Sequence, residues 1–244
     1  MAKVLNLAHR GFSGNYPENT MLAIEKAVTE GSCDGLEIDV QLSSDSEPIV
    51  IHDETVDRVS DGIGHVSAFT LRGLRSLDVG SHFSHNYTGQ RIPHLTEVLD
   101  FAKQHGLLLN IELKNSVLPY LGMERIVLDL IAKKGMENNV ILSSFNHASI
   151  NYCRQLAPEV RTGLLYAQPL YLAERYCKDC DATALHPYHR LVLFDPGLLS
   201  RCRENNIECN VWTVDDEREI TELIGIGVDS IITNYPDRVA ALLN

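Results

Sequence analysis

Three acidic side chains occupy positions where a buried strand should carry apolar residues. In the run "GLEIDV" (35–40), Glu37 and Asp39 share one face, because the side chains of a strand alternate with a period of two. In "NIELK" (110–114), Glu112 takes the corresponding face of another predicted strand. Carboxylates buried side by side repel one another and need a compensating cation. The pattern predicts that these three groups surround a positive charge; the alternative is an exposed edge strand whose acids are solvated.

The ligand atoms indicate which cation that would be. Neither Cys nor His accompanies the three carboxylates on these strands, and an all-oxygen set suits Mg²⁺ or Ca²⁺ far better than zinc. Three carboxylates, one divalent ion and one phosphodiester leave a net negative charge, so further cations are required. Arg10 and Lys114 are placed to supply them as phosphate contacts. A simple ion pair between Glu112 and Lys114 at a strand end is the alternative for the lysine.

Two histidines stand at the ends of predicted strands. His9 follows "VLNLA" and His52 ends "PIVIH". Phosphoester cleavage needs a proton taken from the nucleophile and a proton given to the leaving oxygen, and imidazole can do either near neutral pH. Each histidine alone is more typical of a structural role. Side by side at a metal-and-phosphate site, the two are predicted to be the general acid and base.

Three further residues are predicted to support the site. Glu18, in "PENT", is not fully explained by helix capping and is expected to orient a His or Arg side chain. Trp212, the single tryptophan, ends the seventh barrel strand and is expected to form a wall for the substrate. Asn234 ends the eighth strand, where barrel enzymes commonly place polar site residues.

Alternating strands and helices must position these side chains. Short β-branched runs alternate with helical patterns along the chain, which predicts parallel strands joined by right-handed crossovers. The predicted strands are 4–8, 35–40, 48–52, 107–113, 140–144, 161–166, 182–186, 207–212 and 230–234, and the predicted helices are 18–30, 95–105, 120–135, 147–156, 169–178, 196–205, 216–226 and 236–243. Eight units fit the 244 residues, with 48–52 counted as an extension after the second strand. We therefore expect an α/β fold, a closed TIM (β/α)₈ barrel. An open doubly wound sheet is the alternative, but no GxGxxG follows the first strand.

Residues 53–94 interrupt this alternation. They are rich in Gly, Ser, Asp and His, and they are too numerous for an ordinary connection. We expect a small insertion after the second strand that lies over one end of the barrel. No linker, repeat or low-complexity tract is visible, so residues 1–244 are predicted to form a single domain.

The overall charge restricts the partners. A net charge of −12 argues against nucleic acid and against anionic membranes, since both attract basic surfaces. No apolar stretch approaches the roughly 20 residues of a spanning helix, so no stable membrane insertion is expected. The N-terminus lacks the apolar run of a signal peptide, which predicts a cytoplasmic location and six reduced cysteines. Cys177 and Cys180 form a lone CxxC without the second pair of a zinc site. The sequence leaves a homo-oligomer open.

These motifs together resemble the glycerophosphodiester phosphodiesterase family. They are "HRGFSGNYPENT", "GLEIDVQLSSDSEPIVIHDETVDRVSDG", "IPHLTEVL", "NIELK", "VWTV" and "SIITNYPD", and they cover essentially the whole chain. The resemblance implies a TIM barrel with one divalent cation, Mg²⁺ or Ca²⁺. It also implies hydrolysis of a small-molecule glycerophosphodiester, such as glycerophosphocholine or glycerophosphoethanolamine, to sn-glycerol 3-phosphate and an alcohol.

The same resemblance assigns roles to individual positions. It makes His9 and His52 the acid/base pair, Glu37, Asp39 and Glu112 the metal ligands, Arg10 and Lys114 the phosphate contacts, and Trp212 an aromatic residue near the substrate. Residues 53–94 match the family's small inserted subdomain at the glycerol end of the site. The family's nucleophile is thought to be the neighbouring glycerol hydroxyl, which gives a cyclic phosphate; direct attack by water is the competing route.

Two rival functions stay open at this point. A phospholipase that acts on membrane lipids would use the same histidine pair, but it would need an apolar or basic interfacial patch. A catalytically silent barrel that only binds phosphodiesters would normally lack a histidine or a carboxylate of the motifs, and none is missing here.

Overall fold

Residues 3–243, which the computed structural model describes, form a closed barrel of eight parallel strands with helices between them. The strands are β1 (Leu5–His9), β2 (Gly35–Leu42), β3 (Pro48–Val50), β4 (Leu108–Leu113), β5 (Val140–Ser144), β6 (Arg161–Tyr166), β7 (Ala184–Pro187), β8 (Glu208–Val211) and β9 (Ser230–Thr233). The strand β1 pairs in parallel with both β2 and β9, and this pairing closes the sheet. The expectation of a TIM barrel is confirmed, and the open doubly wound sheet is wrong.

Ten α-helices accompany these strands in the described part of the chain. They are α1 (Met21–Thr29), α2 (Leu71–Leu74), α3 (Leu95–His105), α4 (Met123–Lys134), α5 (His147–Leu156), α6 (Ala173–Asp179), α7 (His189–Phe194), α8 (Leu198–Glu204), α9 (Glu217–Ile226) and α10 (Pro236–Leu243). The sequence pattern placed α3, α5 and α10 to the residue. It missed the short helices α2 and α7, which have too few turns to show a helical period.

The strand β2 illustrates how the barrel wall is built. Leu36, Ile38 and Val40 belong to an apolar cluster that includes residues of α3 and α4. The alternate side chains, Glu37 and Asp39, face the barrel interior, and all eight residues of the strand are buried. Because β2 lies between β1 and β4, its acids are not those of an exposed edge.

The predicted extension 48–52 turns back on β2. Residues Pro48–Val50 pair antiparallel with Val40–Leu42, so β3 lies outside the ring of parallel strands. His52 lies two residues beyond this strand rather than at its end, which corrects the prediction. The backbone N–H of Ile51 donates to the carbonyl of Asp39 at 3.0 Å, so the chain still passes over the mouth of the barrel.

The inserted segment 53–94 shares an apolar cluster with Ile49 and Ile51, which precede it. The cluster contains Ile49, Ile51, Val56, Val59, Val66, Leu74, Val79 and Ile92. Its two ends meet, since the N–H of Val50 donates to the carbonyl of Pro93 at 2.9 Å and Ile49 bridges His94. The segment is therefore a folded unit held at its base. The single-domain organisation stays a prediction.

Glycine at position 11 serves the junction between β1 and α1. Its φ is +78°, and a Cβ there would lie 2.6 Å from the backbone carbon of Ala23. The turn after His9 thus depends on close approach to the helix. No helix within residues 3–243 has the length and apolar character that crossing a bilayer requires.

Candidate active site

The three predicted carboxylates converge at the carboxyl end of the barrel strands. Asp39 and Glu112 are direct partners in the parallel ladder between β2 and β4, and Glu37 lies two residues before Asp39 on the same face. One oxygen from each of the three lies within 4.8 Å of the others. All three residues are buried, with exposed fractions of 3%, 0% and 8% for Glu37, Asp39 and Glu112.

Burial and mutual repulsion together raise the pKa values of two of these carboxylates. Burial, together with the charges of Asp39 and Glu112, raises the pKa of Glu37 well above its ordinary value. Burial and the charge of Asp39 raise the pKa of Glu112 to about 7. Burial also acts on Asp39, but the surrounding positive charges, that of Arg10 above all, together outweigh it and hold the pKa of Asp39 below its ordinary value. The three groups cannot all ionise comfortably without additional positive charge.

The donor set fits a divalent cation. Oδ1 of Asp39 is buried and has no hydrogen-bond partner among the described residues. An orphaned buried carboxylate oxygen is costly, and a cation held between three carboxylates would satisfy it. All the candidate ligand atoms are oxygens, which is the chemistry of a Mg²⁺ or Ca²⁺ site.

Two fixed cations border the carboxylates. Nε of Arg10 lies 3.1 Å from Oδ2 of Asp39, and Nη1 of Arg10 donates to Oε1 of Glu18 at 2.9 Å. Nζ of Lys114 donates to Oε1 of Glu112 at 2.8 Å. Glu18 thus contacts an arginine, one of the two kinds of side chain that it was expected to orient. Lys114 makes the simple ion pair that the sequence left open, and it also reaches across the pocket, as described next.

His52 is held between a carboxylate and this lysine. Its Nδ1 lies 2.6 Å from Oδ1 of Asp53, and its Nε2 lies 3.1 Å from Nζ of Lys114. The side chain of Gln41 donates to the backbone carbonyls of His52 and Asp53, at 2.8 and 2.5 Å. Gln41 is the third inward residue of β2 after Glu37 and Asp39, so the strand that carries the acids also fixes the loop that carries the imidazole.

His9 is held by a different kind of partner. Its Nδ1 lies 2.6 Å from Oδ1 of Asn234, while its Nε2 faces Glu37 at 3.8 Å. Nδ2 of Asn234 donates to Oδ2 of Asp215 at 2.6 Å. Burial, and then the charge of Arg10, lower the pKa of His9 to about 4. The imidazole is therefore neutral at neutral pH.

A pocket of about 90 Å³ lies between these groups. Its lining residues are His9, Arg10, Glu37, His52, Asn110, Glu112, Lys114, Phe145, Leu165, Trp212, Thr213 and Ile232. The polar lining includes six of the predicted residues, namely His9, Arg10, Glu37, His52, Glu112 and Lys114. The apolar lining includes Trp212 and Phe145, whose rings meet edge to face at 5.5 Å. Nε1 of Trp212 donates to the carbonyl of His186 at 2.6 Å, which fixes the ring as a wall of the pocket.

Sequence reasoning did not find four residues of this arrangement: Asp53, Arg58, Asp215 and Asn19. Asp53 directly follows His52, and that adjacency was an available signal. Thr20 caps α1, and Asn19, just before it, donates to Oδ2 of Asp39 at 2.9 Å. Asp215 meets Asn234 across 19 residues of chain, and Arg58 meets Glu18 across 40. No local pattern marks such contacts.

Comparison with known sequences places the whole chain in one group. Residues 9–238 match the profile of the glycerophosphoryl diester phosphodiesterase family. A glycerophosphodiester phosphodiesterase of Caldanaerobacter subterraneus subsp. tengcongensis is 40% identical over 99% of this chain and 98% of its own length. One from Bacillus altitudinis is 36% identical, over 96% of each chain.

Solved structures show the same architecture. A phosphodiesterase of Oleispira antarctica, in complex with the product sn-glycerol-3-phosphate, aligns with a TM-score of 0.86 and 28% identity. The alignment covers 100% of this chain and 97% of that one. A glycerophosphodiester phosphodiesterase from Agrobacterium tumefaciens also aligns with a TM-score of 0.86 and 28% identity, over 99% of this chain and 100% of that one.

Proposed function

Since the chain belongs to the glycerophosphoryl diester phosphodiesterase family and is a phosphoric diester hydrolase, we propose which substrates it cleaves and how. The proposed reaction is the metal-dependent hydrolysis of glycerophosphocholine or glycerophosphoethanolamine to sn-glycerol 3-phosphate and the free alcohol. The observation that carries this proposal is the placement of two imidazoles on either side of three buried carboxylates and two cations. The Oleispira antarctica relative bound to sn-glycerol-3-phosphate supports the choice of product.

Glu37, Asp39 and Glu112 would hold one Mg²⁺ or Ca²⁺ ion. When bound, the ion would withdraw negative charge from the phosphate oxygens and relieve the repulsion among the carboxylates. Asn19 and Arg10 position Asp39 by contacts at 2.9 and 3.1 Å, so the ligand set is oriented by residues of the neighbouring loop.

Arg10 and Lys114 are proposed to bind the phosphate. Both line the pocket, and both are already aligned by carboxylates, Arg10 by Glu18 and Lys114 by Glu112. Preorganised cations stabilise the charge that builds on the phosphate oxygens in the transition state, because they need no reorientation at that moment.

His9 is proposed to be the general base. Asp215 accepts from Nδ2 of Asn234, so the amide must present its oxygen to His9. Nδ1 of His9 therefore carries the proton, and the lone pair is left on Nε2, which faces the pocket beside Glu37. A neutral imidazole with a free Nε2 can accept the proton of the attacking hydroxyl.

His52 is proposed to be the general acid. The carboxylate of Asp53 at its Nδ1 stabilises the positively charged imidazolium, as carboxylates do in other His–Asp pairs. Nζ of Lys114 now donates to Nε2 of His52 at 3.1 Å, so the lysine would first turn to the phosphate. Protonated His52 would then donate from Nε2 to the oxygen of the departing alcohol as the bond between phosphorus and that oxygen breaks.

Two routes supply the nucleophile. In the first, His9 takes the proton of the glycerol 2-hydroxyl, and the oxygen of that hydroxyl bonds to phosphorus as the alcohol leaves. Water later opens the resulting cyclic phosphate. In the second, water attacks directly. A glycerophosphodiester analogue that lacks the 2-hydroxyl separates them, since undiminished turnover of the analogue would exclude the cyclic route.

The decisive experiment measures release of sn-glycerol 3-phosphate from glycerophosphocholine. We expect release with Mg²⁺ or Ca²⁺ and none after chelation. If no divalent cation supports release, the protein would instead be a barrel that binds phosphodiesters without cleaving them. Faster cleavage of phosphatidylcholine vesicles than of glycerophosphocholine would instead favour the phospholipase. The cytoplasmic location and the absence of nucleic-acid partners stay predictions.

A further inference from the structure

Arg58 of the inserted segment contacts two carboxylates, one in the connection after β1 and one after β3, that lie behind residues lining the pocket. Its Nε and Nη2 donate to Asp53, at 2.6 and 3.1 Å. Its Nη1 and Nη2 donate to Glu18, both at 2.8 Å. The planar guanidinium thus makes four hydrogen bonds along two edges, a geometry that lysine cannot reproduce.

Each of these carboxylates touches a residue of the proposed machinery. Oδ1 of Asp53 lies 2.6 Å from Nδ1 of His52. Oε1 of Glu18 accepts from Nη1 of Arg10 at 2.9 Å. A single carboxylate therefore separates Arg58 from the proposed acid, His52, and another separates it from the proposed phosphate-binding arginine, Arg10.

We propose that Arg58 is a positioning residue, which aligns His52 and Arg10 with each other through Asp53 and Glu18. The inference rests on the function proposed above, because His52 and Arg10 have their roles only there. It gives the inserted segment a part in the reaction, since the segment supplies the guanidinium that joins the two sides of the pocket.

Charge supports this arrangement. Burial alone would raise the pKa of Glu18, but the hydrogen bonds and charge of Arg58, with those of Arg10, hold it below its ordinary value. Burial is likewise outweighed at Asp53, where Arg58 and His52 lower the pKa. Both carboxylates therefore stay ionised at neutral pH and keep their grip on His52 and Arg10.

A purely structural role does not account for the contacts. The side chain of Arg58 is 48% exposed, and half-exposed ion pairs contribute little to stability. What the four hydrogen bonds do fix is direction, since they leave neither carboxylate free to rotate. Loss of Arg58 should consequently change activity much more than it changes the melting temperature.

The test uses two variants and a matched control. Arg58→Ala should lower kcat/KM for glycerophosphocholine about 10- to 100-fold, the usual cost of removing a residue that orients a site group. Arg58→Lys should recover only part of this loss. The control is Arg75→Ala, because Arg75 also belongs to the inserted segment and pairs with Glu97 of α3, away from the pocket. It should leave kcat/KM within about twofold of wild type.

Two further measurements separate positioning from general damage. In a double-mutant cycle, Arg58→Ala should lower kcat/KM by a clearly smaller factor in an Asp53→Asn background than in wild type. The reason is that the contact between Arg58 and residue 53 is already weakened in that background. The ¹⁵N resonances of His52 should shift in Arg58→Ala and stay in place in Arg75→Ala. Equal costs in both backgrounds, or an unmoved His52 signal, would overturn the proposal.

The outcome for the wild type keeps the two hypotheses apart. If wild type releases no sn-glycerol 3-phosphate, the proposed function fails, whereas the His52 resonances still report whether Arg58 aligns that ring. If wild type is active and Arg58→Ala equals it in kcat/KM, only the role of Arg58 is lost.

Discussion

Asp215 fixes the amide of Asn234. The side-chain nitrogen of Asn234 donates to Oδ2 of Asp215 at 2.6 Å, and the backbone N–H of Asn234 donates to Oδ1 at 2.8 Å. The amide oxygen is thereby turned toward His9, 2.6 Å from its Nδ1. A carboxylate that does not line the pocket thus selects the tautomer of an imidazole that does.

Replacing Asp215 by Asn should consequently impair the base. Without a fixed acceptor the Asn234 amide can turn over, and His9 can place its proton on Nε2, where a base needs a lone pair. We expect kcat to fall about 10- to 100-fold, as for other residues that orient a site imidazole. Steady-state kinetics on glycerophosphocholine measure this. An unchanged kcat in a variant with an unchanged melting temperature would refute the proposal that Asp215 orients His9 through Asn234.

The two histidines should each be necessary for the chemical step. His9→Ala and His52→Ala should each lose about 10²- to 10⁴-fold in kcat, the usual contribution of general acid/base transfer. Circular dichroism should show both variants folded. A variant that retains near-full activity would remove that histidine from the mechanism.

Divalent cations should stabilise the fold by relieving the repulsion among the carboxylates. At a cation concentration 100 times the Kd, the free energy of unfolding should rise by about 2.7 kcal/mol, or several degrees of melting temperature. Thermal melts with chelator and with graded Mg²⁺ or Ca²⁺ test this. Glu37→Gln should weaken the response, because it removes one ligand charge. An identical cation titration in this variant would exclude Glu37 from the site.

A histidine in the barrel interior should make the protein sensitive to acid. His186 is completely buried beside Asn210, and burial lowers its pKa to about 3. The unfolded chain, with a pKa near 6.5, binds this proton first. The contribution of neutral His186 is therefore fully present above about pH 6.5 and is lost as the pH falls toward 3.

Urea unfolding at pH 7 and pH 5 measures that loss. Between these values, the fall in unfolding free energy should be about 2 kcal/mol larger in wild type than in His186→Gln, which has no titratable side chain at position 186. Equal falls in unfolding free energy in the two proteins would mean that His186 takes up its proton while the protein stays folded.

Much of the fold was accessible from local pattern, and the reason is visible in β2. Alternation predicted that Glu37 and Asp39 share a face, because that relation depends only on the geometry of one strand. The meeting of Asp39 with Glu112 needed only the parallel order of the strands. Relations of this kind were sufficient to predict the barrel and the acidic cluster.

The partners that orient the site were not accessible in the same way. His52 was placed at a strand end, whereas β3 folds back on β2 and delivers His52 over Asp39 from outside the ring. The contacts between Arg58 and Glu18, and between Asn234 and His9, join residues 40 and 225 positions apart. Such contacts follow from closure of the barrel and from docking of the insertion, which no single window of sequence contains.

The pairing of Val50 with Pro93, and of Ile49 with His94, gives the inserted segment a closed stem. A segment that enters and leaves through one stem can be exchanged as a cassette, provided that the replacement restores its contacts with the rest of the chain, such as the hydrogen bond from the N–H of Ser44 to the carbonyl of Phe69. A shorter or foreign cassette could be grafted there without disturbing the eight-stranded ring. The graft would still have to supply an aspartate at the place of Asp53, beside His52, and an arginine at the place of Arg58.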